Sequence, residues 1–244
     1  MRWSKAGFGM RLGAGALAVL AAGGSLAAAA QAPPAVPPVP APAAAPQQAR
    51  FMVVLDAAHG GDDMGGRLGN AAEKAFTLAL SVRLRSLLGA RGIQVVTTRE
   101  SDATLDANRR AEIANHANAQ ACLSLHATEV GAGVHLFASS LTPAVPSRIP
   151  AWRTAQAAWV TRSLALAGVV NSALQQAGIP VMLARTSIRT VDSMSCPAIA
   201  VEVAPERDAD KAITADLDDA GYQARVAEAL AAAILEWKAE GHQP

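Results

Sequence analysis

Four residues of this 244-residue chain combine side chains and positions that could act together: His59, Glu73, His126 and Glu202. His59 lies in Asp56-Ala57-Ala58-His59-Gly60-Gly61, just past the apolar run Phe51 to Leu55. His126 closes Cys122-Leu123-Ser124-Leu125, Glu202 follows Ala198-Ile199-Ala200-Val201, and Glu73 opens a segment with helical apolar spacing. Two imidazoles and a carboxylate are the donor set of a catalytic zinc centre, which keeps its fourth position for water. The spare carboxylate is then available as a general base. Each residue also has a purely structural reading. Asn70-Ala71-Ala72-Glu73 fits a capping box, and a lone strand-end histidine such as His126 is commonly satisfied by ordinary hydrogen bonds. Glu202 is harder to explain that way, because a carboxylate ending an apolar strand is costly to bury unless it is paired or used. The coincidence of all four at one end of the strands is what points to chemistry.

That coincidence requires particular elements. The runs Phe51–Leu55, Ile93–Thr97, Ala121–Leu125, Gly133–Phe137 and Ile199–Val203 read as strands, with a weaker one at Pro180–Leu183. Between them, Phe76, Leu80, Leu84, Leu87 and Leu88 fall at helical spacing, as do Ala111, Ala114 and Ala117; Trp152–Gln176 and Asp218–Lys238 read as two further helices. Strands separated by helical crossovers predict an α/β fold, a mostly parallel twisted sheet of about six strands with helices on both faces. In such sheets ligands bind beyond the carboxyl ends of the strands, which is where the four residues fall.

Composition excludes several roles. Lys and Arg number 21 against 20 Asp and Glu, far from the basic excess of a nucleic-acid binder, so no nucleic-acid partner is expected. Two cysteines form neither a disulfide framework nor a CxxC metal site. The N-terminus reads as an export signal over 1–30: Arg2, Lys5 and Arg11 precede an uncharged apolar stretch, and Ala28-Ala29-Ala30 offers small residues for cleavage. A retained membrane anchor is the alternative, although the stretch is poor in Leu, Ile, Phe and Val and so partitions weakly into lipid; no stable membrane span is expected after processing. Residues 31–49 are proline- and alanine-rich without charge, the composition of a stiff tether. The catalytic domain is then 50–244, placed in the periplasm or cell envelope, and large enough to bury roughly 70% of its unfolded surface.

The ordered blocks LDAAHGGDDMGG, NAAEKAFTLAL, TTRESD, LDANRRAEIAN, ACLSLHAT, GVHLF, CPAIAVEV and YQARVAEAL resemble those of the zinc-dependent N-acetylmuramoyl-L-alanine amidases of the type 3 family, across nearly all of 51–240. The resemblance implies that His59, Glu73 and His126 are the zinc ligands and Glu202 the catalytic glutamate. It implies hydrolysis of the amide between N-acetylmuramic acid and L-alanine in peptidoglycan, with Zn2+ as cofactor and the muramyl peptide as substrate. Supporting positions depart from the family pattern: Ala57-Ala58 replaces Pro-Gly before the first histidine, Thr128 replaces Asn, and Ala204-Pro205 replaces Gly-Phe. If His59 is a ligand, Asp56 is expected to orient it, since ligating histidines usually donate their second N–H to a carboxylate or carbonyl.

Other residues are weaker candidates. Asp62, Asp63, Arg185 and Arg189 either contact the stem peptide or are solvated loop charges. His135 alternates with apolar neighbours and is expected on the opposite face of the sheet; Trp152, Trp159 and Trp237 are expected to pack on helices. Cys122 and Cys196 form a disulfide if their strands are neighbours, and are otherwise buried thiols. Two other functions stay open beside the one the resemblance implies: another exported zinc peptidase or hydrolase, since fold alone does not fix substrate, and a non-catalytic cell-wall binding module, against which the intact Glu202 and ligand set argue. The stretch Thr186–Ser195 is too short and too rich in β-branched and Ser residues for a stable plug helix, so no activator protein is predicted.

Overall fold

Strand residues in this chain face two different environments, and the alternation of their side chains separates a greasy face from a working one. A computed structural model describes residues 50–144 and 152–241. The expected signal segment 1–30 and the tether 31–49 lie outside the described residues. Six strands form one sheet: β1 (Met52–Ala57), β2 (Gln94–Thr97), β3 (Ala121–Ala127), β4 (Val134–Ser139), β5 (Val181–Thr186) and β6 (Ala198–Val203). Their order is β2-β1-β3-β6-β4-β5. The first four of that row are mutually parallel, β4 runs antiparallel to β6, and β5 is parallel to β4.

The helices are α1 (Glu73–Gly89), α2 (Ala107–His116), α3 (Val160–Gln176), the single turn α4 (Arg189–Asp192) and α5 (Ala220–Ala239). Helices α1, α3 and α5 cover one face, where Val53, Leu55, Leu123, Leu125, Ile199, Val201, Val134 and Leu136 meet Leu80, Leu84, Leu166, Val170, Leu230 and Ile234 in the main core. Fully burying one such Leu or Ile stabilises by roughly 1.5–3 kcal/mol, which is why this face carries no polar side chain at its centre. Two of the helices start at a short acidic cap: for α2 Asp106 accepts from Arg109 N at 2.8 Å, and for α5 Asp219 accepts from Tyr222 N at 2.6 Å.

The opposite face is graded. At the strand beginnings Val54, Cys122, Ala198 and Ala200 pack beneath α2 and the α4 segment in a smaller cluster with Ala111, Ala114, Val191 and Met194. Further along the same strands the inward positions become Asp56, Ser124, His126 and Glu202. The sheet therefore turns polar where helical cover ends.

Two expectations are corrected. Trp152–Gln176 is not one helix: residues Trp152–Ala158 form a 3-10 segment with a break at Thr154, before α3 begins. The break turns Gln156 inward, where its buried amide donates to the carbonyls of Met194 at 2.8 Å and Cys196 at 3.0 Å. The weak strand at Pro180 starts at Val181 and extends to Thr186, because it pairs residue by residue with β4 and needs no inward apolar run at the sheet edge. Cys122 and Cys196 are joined in a disulfide, with Cα atoms 6.3 Å apart.

Candidate metal centre

Strand β1 delivers the chain into a loop whose backbone is bent by its own sequence. His59 has φ +61°, and Gly60 and Gly61 follow at φ +132° and +59°. A left-handed histidine is uncommon and needs support from its surroundings. Two nearly buried arginines supply it. Arg99 donates to the carbonyls of Ala57 and Ala58 at 2.9 and 3.1 Å, while Arg110 donates to the Ala57 carbonyl at 2.6 Å and to that of His59. Lys74 Nζ holds the carbonyl of Gly61, two residues on, at 2.7 Å. Cationic donors thus fix the loop through its backbone and leave the His59 ring free to point inward.

Glu73 is the first residue of α1, entered through a short ribbon of Arg67–Leu68 against Ala71–Ala72. The capping box is not formed: the cap is Ala72, with no side-chain bond, and the Glu73 carboxylate turns into the sheet edge. It accepts from the backbone N–H of Gly66 at 2.8 Å and of Ala127 at 3.1 Å. One oxygen lies 3.1 Å from His59 Nε2 and the other 3.1 Å from His126 Nδ1. The two imidazoles meet edge to face, centroids 5.5 Å apart. Among the described residues His59, Glu73 and His126 are the group whose donor atoms all fall within 4.8 Å of one another.

The electrostatics suit a cation. Burial pushes the Glu73 carboxyl upward, but bonds from His126 and His59 and from two backbone amides outweigh it and hold the group well below the usual carboxylate range. His59 keeps a proton more readily than an ordinary histidine, chiefly through its bond to Glu73, with burial opposing and Asp63 assisting. A proton gathered among two imidazoles and an anionic carboxylate occupies the kind of place a metal ion would take.

The supporting shell differs from expectation. Asp56 does not touch His59. Its Oδ2 accepts from Ser124 Oγ at 2.8 Å, and that oxygen lies 3.4 Å from His126 Nε2, so Asp56 supports the second histidine through a serine. The positive φ at His59 swings its ring away from β1, and Asp63 takes the role instead, 2.9 Å from His59 Nδ1. Asp63 is thus a partner of the site rather than a solvated loop charge. Asp62 bonds Thr104 only through its backbone N–H, and Arg185 donates to the carbonyls of Ser139 and Leu141. Arg189, exposed on α4, is not brought to the donors.

Glu202 sits directly opposite His126 in the parallel register of β3 and β6. A cavity of about 360 Å³ is lined by His126, Glu202, Phe137, Thr186, Ile188 and Ala200. His135 was expected on the far face, but antiparallel pairing of β4 with β6 sets it opposite Glu202 on the same face, Nδ1 to Oε2 2.9 Å. No sequence signal gives that register, because β4 reaches β6 only after the chain has passed through α3. The tryptophans divide: Trp152 is 52% exposed, Trp159 precedes α3, and Trp237 is fully buried with Nε1 on the Gln120 carbonyl.

Residues 53–236 match the family model described as N-acetylmuramoyl-L-alanine amidase. The chain belongs to this family. Among curated relatives, this amidase-family chain is similar to the germination-specific N-acetylmuramoyl-L-alanine amidase of Bacillus subtilis (strain 168), 34% identical over 89 residues, covering 31% of this chain and 38% of that protein. It is also similar to the N-acetylmuramoyl-L-alanine amidase AmiA of Escherichia coli (strain K12), 39% identical over 95 residues, covering 36% of this chain and 32% of that protein. The matched stretch therefore spans about a third of the length of either relative. Among solved structures, the amidase AmiC2 of Nostoc punctiforme superimposes with TM-score 0.58 at 26% identity, covering 78% of this chain and 97% of that one. The CwlD amidase of Clostridioides difficile, solved in complex with the GerS lipoprotein, shares the fold with TM-score 0.60 at 21% identity, covering 78% and 99%.

Proposed function

We propose that this protein is an exported zinc-dependent N-acetylmuramoyl-L-alanine amidase that cleaves the amide joining N-acetylmuramic acid to the L-alanine of the peptidoglycan stem. The observation that carries the reading is the convergence of the His59, Glu73 and His126 donor atoms within 4.8 Å, with Glu202 opposite His126 on the next strand. The donor set fits zinc, since two imidazole nitrogens and a carboxylate oxygen are three of its ordinary ligands in open catalytic sites. When bound, zinc supplies a Lewis acid that polarises the scissile carbonyl and makes water a usable nucleophile at neutral pH.

The chain's own residues do the remaining work. His59, Glu73 and His126 hold the cation; Asp63 and Ser124 fix the second nitrogen of each imidazole, which sets the tautomers. Glu202 takes the proton from the attacking water as the new C–O bond forms, and returns it to the alanine nitrogen as the C–N bond breaks. The cavity walled by Phe137, Thr186 and Ile188 receives the substrate beside that carboxylate.

Export follows from residues 1–30 read as a signal peptide, with 31–49 as a tether and 50–244 as the catalytic domain in the periplasm or cell envelope. No described helix is long and apolar enough to cross a membrane. Peptidoglycan is the partner, and we read the domain as active without an activator protein. The stretch 186–196 beside the cavity is pinned by Asn115 to Ser193 and Ser195, by Asp192 to Ser139 and Ser187, by Gln156, and by the disulfide at Cys196. A segment held at so many points is a wall and not a movable plug.

The test is mass analysis of fragments released from purified peptidoglycan by the zinc-loaded protein alone. Free stem peptides beginning with an N-terminal alanine support the reading. Cleavage within the stem would assign a peptidase instead, binding without release a non-catalytic module, and release only after a second protein is added would overturn the activator-free reading.

A further inference from the structure

We propose that His135 is a positioning residue that holds the Glu202 carboxylate in one orientation for proton transfer. The inference rests on Glu202 being the general base. The two residues are directly paired across β4 and β6, and His135 Nδ1 lies 2.9 Å from Glu202 Oε2. Glu202 is the more exposed partner, its side chain 30% accessible against 10% for the imidazole, so the buried ring is the fixed member of the pair. That ring is itself confined. The backbone of Gly131, at φ +87°, passes so close that a Cβ there would stand 2.5 Å from its Cε1 and Nε2. Arg207 Nε holds the Gly131 carbonyl at 2.9 Å, and the Phe137 ring stands edge to face with the imidazole, centroids 6.4 Å apart. A chain of contacts therefore runs from Arg207 through Gly131 and His135 to Glu202.

The consequence is geometric. An unrestrained glutamate turns about its side-chain torsions and spends little time in a productive pose. With Oε2 bound to the Nδ1–H of His135, Oε1 is left without a protein partner among the described residues and is free to meet the water proton. Misplacing a reacting group by about 1 Å can cost on the order of a hundredfold in rate. The hydrogen bond is thus expected to act on turnover and not on substrate binding or metal retention.

The experiment uses the full chain, zinc-loaded, with kcat and KM on peptidoglycan fragments and zinc content measured together. His135→Ala is expected to lower kcat by about ten- to a hundredfold at unchanged KM and zinc content. His135→Asn, whose amide N–H can replace Nδ1–H, is expected to recover most of that loss. In a Glu202→Gln background His135→Ala should cost nothing further, because a residue acting through Glu202 has no effect once the base is gone. Gly131→Ala, which displaces the ring without deleting it, should reproduce the kcat loss and serves where His135→Ala does not fold. Independently of turnover, the Nδ1–H proton resonance of His135 should shift in metal-free Glu202→Ala protein. Equal losses in both backgrounds, a raised KM at unchanged kcat, failure of Asn to rescue, or an unmoved resonance would overturn the proposal. Near-normal turnover in Glu202→Gln alone would instead end the reading of Glu202 as base, an outcome distinct from any of these.

Discussion

Asp56 and Arg110 form an ion pair at 2.9 Å with side chains only 1% and 5% accessible, placed so that one member reaches toward each histidine of the site. Arg110 holds the His59 carbonyl, and Asp56 holds Ser124, which in turn meets His126. Removing one partner of a buried pair leaves an uncompensated charge and costs about 3–5 kcal/mol. Arg110→Met should therefore destabilise the domain by that order and weaken metal retention, measured by chemical unfolding with parallel zinc analysis. A change below about 1 kcal/mol would show that the pair does not support the fold.

Metal affinity should depend on pH in a direction set by His59. Its proton affinity is raised, first by Glu73, so the ring must lose a proton to bind metal at pH values where an ordinary histidine, near 6.5, is already neutral. Affinity is then full above the raised value and falls as pH drops through it, by about tenfold per pH unit for one displaced proton. Competition titration between pH 8 and pH 6 checks this. A flat profile would mean that the proton does not compete for the site.

Gly65 leaves no room for a side chain beside the donors. Its φ is +67°, and a Cβ there would lie 2.6 Å from His59 Cδ2 and 2.8 Å from Glu73 Oε2. Gly65→Ala is expected to displace both side chains, lowering zinc affinity by at least tenfold while the far core keeps its fold. Zinc content with far-UV circular dichroism decides it, and wild-type zinc binding would refute the close packing.

The Cys122–Cys196 bond closes a long loop between the start of β3 and a residue two positions ahead of β6, the strands that carry His126 and Glu202. Replacing both cysteines with Ser should lower stability by about 2–4 kcal/mol. Thermal unfolding with and without reductant should show the same difference in the native chain, and no difference would mean that the bond adds nothing to the fold.

The α/β class and six strands were readable because apolar runs and helical spacing are local properties. The same holds for the four central residues, which sit at the ends of those runs. What stayed hidden depended on pairing between distant segments. His135 lies on the working face only because β4 runs antiparallel to β6, and nothing near residue 135 encodes that direction. Asp63 rather than Asp56 meets His59 because of a single left-handed backbone angle at His59 itself. The break at Thr154 likewise serves a distant partner, since the Gln156 amide that it turns inward meets the carbonyls of Met194 and Cys196.

The most direct measurement is turnover and zinc content of Glu202→Gln beside the unaltered protein, both on purified peptidoglycan. One zinc per chain is expected in each, with turnover reduced by about two to four orders of magnitude in the variant, the usual cost of losing a general acid and base. Near-normal turnover at full zinc content would contradict it.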